Sequence, residues 1–107
     1  MVALCDRNQT RLEQVIDELD ADQRKRSFAR PVDVTNRAAL KAFLEDSKAH
    51  FGKLDGIANF AGTAGHHLGT QAVWETSDEE FAFIMKLNVK GTFYVLSEAL
   101  KPGFMSP

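Results

Sequence analysis

Apolar and polar positions fall in blocks along this chain, and the period of the blocks changes in a regular order. Val2-Ala3-Leu4-Cys5 is a short apolar run closed by Asp6, the form of a buried strand. Arg7 and Asn8 turn the chain. From Thr10 onward, Leu12, Val15, Ile16 and Leu19 recur at i, i+3, i+4 and i+7, one face of a helix. Asp20, Asp22 and Gln23 break that pattern, and Arg24-Lys25-Arg26 reads as part of a solvated loop. Ser27 to Val34 is a second strand candidate, and Pro31 inside it confines the run to an edge or to partial pairing. Thr35 or Asn36 is placed to cap the next helix. That helix buries Leu40, Phe43, Leu44 and Phe51, and Gly52 stops it.

Leu54 to Asn59 is the third expected strand, an apolar run centred on Ile57 that ends at an Asn, small residues and Gly62. Gly62 to Val73 is glycine-rich and irregular. Ser77 with Glu80 predicts a capping box, with Trp74 packed over the helix entry. A long helical pattern then runs to about Leu100, with an inner stripe of Phe81, Ile84, Asn88, Gly91, Val95 and Ala99, and Pro102 and Gly103 end it. Short, unalternating strands separated by helices predict an α/β fold with a parallel sheet covered on both faces. The expectation is one domain over 1–107, a partial doubly wound sheet of three strands and three helices.

Composition narrows the function classes. The 107 residues suffice for one small domain. A net charge of −2 gives no electrostatic case for nucleic acid or for an acidic membrane surface. No apolar run approaches the length of about 18 residues that spans a bilayer, and no secretory signal opens the chain. The absence of address labels points to the cytoplasm. The single cysteine, Cys5, lies in an apolar run and is expected to be a buried, inert thiol.

Chemistry concentrates where strands are expected to end. In open α/β sheets ligands bind outside the carboxyl ends of the strands. Asp6 stands at the first such end, where a carboxylate can accept from both ribose hydroxyls of a nucleotide or simply start a turn. Arg7 beside it could meet a 2′-phosphate, which Asp6 would repel, so NAD is favoured and NADP remains open. Asp33-Val34 stands at the second end, as a ligand group or as a helix-entry acid. Asn59-Phe60-Ala61-Gly62 stands at the third. Asn88 falls on a buried stripe, and an unpartnered buried amide costs about 1–3 kcal/mol. It therefore needs a backbone group, a water or a ligand. Gly91, one turn on, costs a helix interior about 1 kcal/mol relative to alanine, and the pair predicts a bent helix with a bound water near Asn88. Gly62-Thr63-Ala64-Gly65 has neither the spacing of a phosphate loop nor a helix directly after it. His66 and His67 are adjacent, which is poor spacing for one metal ion, so no metal site is expected.

These motifs, in order, resemble the middle of a short-chain dehydrogenase/reductase. The likeness rests on Val2 to Asn8, Asp33-Val34-Thr35, Leu54 to Gly62, and Leu87-Asn88-Val89-Lys90-Gly91-Thr92-Phe93. It covers nearly the whole chain. The family's Asn-Asn-Ala-Gly motif stands here as Asn59-Phe60-Ala61-Gly62, with Phe60 departing. The resemblance implies that Asp6, with Arg7 beside it, meets the adenosine ribose, that Asp33 and Val34 meet the adenine, and that Asn59, Ala61 and Gly62 line the cofactor. It implies that Asn88 is the family's helix asparagine, holding a water in the proton relay. The family's Thr-Gly-x-x-x-Gly-x-Gly turn and its first strand do not appear. Its serine and Tyr-x-x-x-Lys pair do not appear either, since the only tyrosine, Tyr94, is followed four residues later by Glu98. The resemblance thus implies an internal fragment of an NAD(P)-dependent oxidoreductase of alcohols or ketones, inactive alone and marginal in stability. An adenosine-binding module without activity is the alternative. So is an interaction protein that pairs, as a homo-oligomer or with a full-length homologue, through the helix starting at Ser77. Substrate choice would sit in Thr63–Val73.

Overall fold

The computed structural model describes residues 1–106, so Pro107, the last residue of the expected domain, lies outside the described residues. Strand β1 covers Val2–Asp6 and β2 covers Ser27–Pro31. They pair in parallel from Val2 opposite Ser27 to Asp6 opposite Pro31, with Pro31 at the last position, where a missing N–H costs the ladder least. Between them lie α1 (Gln9–Glu18) and α2 (Ala21–Lys25). Helix α3 is Arg37–Phe51. A 3₁₀ turn at Val73–Glu75 precedes α4 (Asp78–Met85), a π turn at Lys86–Lys90 and α5 (Gly91–Ala99), which follow one another without a break.

Local chemistry explains most boundaries. Asn8 caps α1 by accepting from Arg11 N–H, and Asn36 caps α3 by accepting from Ala39 N–H. Gly52 takes φ +84° and its N–H donates to Lys48 O at 2.7 Å, the left-handed stop expected of a glycine there. The core lies between the end of β2, α3 and α5: Val32, Val34, Leu40, Phe43, Leu44, Val95 and Ala99. Ser47 is buried among them and returns its hydroxyl to Phe43 O at 2.6 Å.

Several expectations change. The basic cluster is not a loop: Asp20 and Gln23 form a reciprocal capping box that starts α2. Arg24 then donates to Ile16 O and Asp17 O, closing the end of α1. Leu54–Asn59 is not a strand. A strand exists only with a hydrogen-bonded neighbour, and among the described residues the one backbone bond to this segment is Ser106 N–H to Leu54 O. Ile57 is accordingly 41% exposed. The sheet therefore has two strands, not three. Cys5 is exposed, not buried as expected: its side chain leaves a face of a sheet that has only two strands. Its thiol is still pushed up in pKa, by desolvation first and by Asp6 second, which keeps it protonated. Trp74 is 85% exposed where it was expected to pack over the helix entry, and Phe81, expected on the inner stripe, is exposed as well.

Candidate functional site

Parallel pairing brings both strands out on one rim. Val32 N–H donates to Asp6 O at 3.1 Å just beyond the last strand pair, and Asp33 follows. Asp6 Oδ1 accepts from Asn8 N–H at 2.7 Å, which shapes the turn into α1. Asp33 Oδ1 accepts from Thr35 N–H at 2.9 Å and from Thr35 Oγ1 at 2.7 Å. Those two bonds hold the Asp33 carboxyl below the usual carboxylate range, and the cations of Arg7 and Lys86 add to the effect. Each aspartate thus commits Oδ1 to its own turn, and each Oδ2 makes no hydrogen bond among the described residues. An ionised carboxylate is acceptor-only, so this rim offers acceptors to hydroxyl or amino donors.

The π turn is the second half of the site. Gly91 N–H donates to Lys86 O, the widened turn, and π turns of this kind gather at functional sites. A Cβ at Gly91 would lie 2.9 Å from Val34 Cγ2, so glycine lets the helix meet the strand exit closely. Asn88 then reaches the other way. Its Oδ1 accepts from Thr63 N–H at 2.7 Å and its Nδ2 donates to Thr63 O at 2.7 Å. A π turn lies where a bend was expected, and the amide's partner is backbone. Gly62 is tight against the same side chain, with a Cβ position 3.1 Å from Asn88 Oδ1. Thr92 links the remaining element: Asn59 Nδ2 donates to Thr92 Oγ1 at 3.2 Å, and Thr92 Oγ1 donates to Asn88 O at 2.8 Å. Ala61 N–H donates to Asn59 Oδ1 at 3.4 Å, and Phe60, the departure from the motif, is 92% exposed.

Val34, Asn59, Gly62 and Asn88 are therefore gathered around one helical turn, with Asp33 following the same strand exit and Asp6 and Arg7 on the rim beside it. Sequence reading named Thr63 and Thr92 only as members of a loop and of a motif, without these contacts, and it missed Lys86. Thr92 was in reach, since it stands one turn after Asn88. Thr63 and Lys86 carry no pattern of their own. The Ser77 cap forms on Glu80 N–H at 3.1 Å, yet the Glu80 side chain does not complete the expected box. It bonds His66 instead, N–H to Oε1 at 2.6 Å and Nδ1 to Oε2 at 2.7 Å. No group of three or more His, Cys, Asp or Glu among the described residues could hold a metal ion. No helix there is long and apolar enough to cross a membrane.

The short chain dehydrogenase family model matches residues 1–105. The chain belongs to the short-chain dehydrogenase/reductase family. This is a family of oxidoreductases, and the α/β arrangement with a parallel sheet is its Rossmann-like fold. A short-chain dehydrogenase/reductase of Botryotinia fuckeliana is 29% identical over 100 residues, covering 94% of this chain and 39% of that protein. A xylitol dehydrogenase structure with NAD+ bound is 31% identical with a TM-score of 0.73, covering 90% of this chain and 35% of that one. A variant of actinorhodin polyketide ketoreductase with NADPH is 25% identical with a TM-score of 0.79, covering 92% and 36%. The chain thus spans about two-fifths, or less, of the relatives it matches.

Proposed function

We propose that this chain forms the adenosine side of a nicotinamide dinucleotide cleft, within an NAD(P)-dependent short-chain oxidoreductase acting on an alcohol or ketone. One observation carries the reading: two carboxylates at neighbouring strand exits, each with one oxygen uncommitted. Asp6 would accept from the ribose hydroxyls and Asp33 with Val34 would face the adenine. Asn59, Ala61 and Gly62 would line the cofactor. The dinucleotide supplies hydride chemistry when bound. The protein's part here is to orient it and, through the π turn at Asn88, to contribute to proton transfer by way of a water. Solved relatives that hold NAD+ and NADPH support the class of cofactor. NAD is favoured, because Asp6 would repel a 2′-phosphate more closely than Arg7 would attract it.

Turnover by this chain alone is not expected. A general acid or base must stand within hydrogen-bond reach of the reacting oxygen. Tyr94 has Glu98 in place of a lysine four residues on, and Glu98 is buried and engaged by Arg37 and Lys101. Fluorescence titration of the purified chain with NADH and NADPH tests the reading. The expected result is saturable binding that favours NADH and is weakened at least about ten-fold by Asp6→Ala, the loss of roughly one charge-assisted bond. Binding indifferent to both Asp6→Ala and Asp33→Ala, or no saturation at millimolar cofactor, overturns it. A second reading, association through α4, the π turn and α5, is favoured by their exposed Met85, Val89, Phe93 and Leu96.

A further inference from the structure

Residues 64–72 form most of the irregular loop before α4, and they make hydrogen bonds to α4 or α5 at only one place among the described residues. That place is His66 on Glu80. The His66 backbone N–H donates to Oε1 at 2.6 Å and the ring Nδ1 lies 2.7 Å from Oε2, so both carboxylate oxygens are used by one residue. The imidazole also stacks on Phe83, centroids 4.6 Å apart at 28°. Gly65 makes the approach possible. It takes φ +91°, and a Cβ there would come within 2.8 Å of Ile84 Cδ1. Its N–H donates to Thr63 Oγ1 at 3.0 Å, which joins this contact to the residue that Asn88 holds. The carboxylate is 11% exposed while the imidazole is 63% exposed, so the partner on the helix is the fixed one.

We propose that His66 and Glu80 are a positioning pair, a clamp that fixes the Thr63–Val73 loop on α4 and so holds Thr63 in place against Asn88. The clamp needs both parts of His66. The backbone bond sets where the chain passes, and the ring, flanked by Phe83 and Glu80, sets its rotation. His67 makes no hydrogen bond to this carboxylate among the described residues, so it is not part of the clamp.

Amide hydrogen exchange on the full chain, read residue by residue by NMR, tests this. The His66 amide should exchange slowly, and Glu80→Ala should speed it and the Thr63 and Gly65 amides at least about ten-fold while the α3 amides Leu40–Ser47 keep their protection. Glu80→Gln retains an acceptor for the backbone N–H, so it should restore most of the His66 amide protection. A role confined to helix stability would not separate Gln from Ala in this way. His66→Ala, which leaves the backbone bond possible, should release the loop partially. The idea is overturned if the wild-type His66 amide exchanges at the random-coil rate. It is overturned equally if Glu80→Ala leaves it unchanged, or if Gln and Ala behave alike. No cofactor enters this experiment, so its outcome and that of the NADH titration stand apart.

Discussion

At the scale of single residues, Asn88 is where sequence logic and structure meet most directly. The sequence says only that an amide on a buried stripe must find partners. The structure supplies both from one residue, the N–H and C=O of Thr63. Removing the side chain leaves two backbone groups unpaired in a half-buried place, and each such group costs about 1–3 kcal/mol when water cannot replace the bond. Asn88→Ala is expected to lower stability by about 2 kcal/mol, read as a fall in the urea midpoint at constant slope. Asn88→Asp is the sharper test. It keeps an acceptor for Thr63 N–H but sets a carboxylate oxygen against Thr63 O, so it should cost at least as much as alanine at neutral pH. An aspartate variant as stable as wild type would show that Thr63 O does not depend on this amide.

At the scale of elements, helices were legible and the third strand was not. The stripe Leu40, Phe43, Leu44 and the stop at Gly52 are local signals, and α3 forms where they place it. The short α2 has no apolar period to find, although Asp20 and Gln23 held its capping signal in plain sight. Leu54–Asn59 carries the composition of a buried strand, but strand formation is decided by a neighbour and not by the segment. The same holds for Glu98. Its burial against Arg37 comes from the docking of α5 on α3, 61 residues apart in sequence, which no spacing rule reveals.

That tie between α3 and α5 predicts an acid response. Lys101 first, and Arg37 next, hold the Glu98 carboxyl below the ordinary glutamate range. The folded chain therefore binds this proton more weakly than the unfolded chain. The stabilisation is complete above the ordinary glutamate pKa and is lost as pH falls through the lowered folded value. Stability measured from neutral pH down into that range should fall, and Glu98→Gln should flatten this limb of the profile while starting from a lower plateau. An unchanged acid limb in the glutamine variant would mean that other carboxylates, Asp33 among them, carry the response.

At the scale of the molecule, the surface is larger than a chain of this mass needs. A folded monomer of 11.9 kDa is expected to expose about 6,000 Å², and this one exposes 7574 Å². Its radius of gyration is 16.1 Å, against about 13 Å for a compact domain of this length. Part of the excess is apolar and ordered on one face. Phe81, Met85, Val89, Phe93, Leu96 and Leu100 are all exposed and recur at steps of three or four along α4, the π turn and α5. Uncovered rows of this kind mark association sites or aggregation liabilities, and the unpaired edge of β1 adds a second adhesive surface. The chain is therefore expected to sediment as species larger than a monomer at micromolar concentration, and to bind a hydrophobic dye when dilution separates it. Leu96→Lys, which places a charge in the C-terminal half of the row, should shift it toward monomer. If the helix row drives association, this variant stays soluble at concentrations where the parent does not. A parent chain that is monomeric and melts in one cooperative transition would remove both the row and the open strand edge as sources of instability. It would also mean that the small core between β2, α3 and α5 is sufficient by itself.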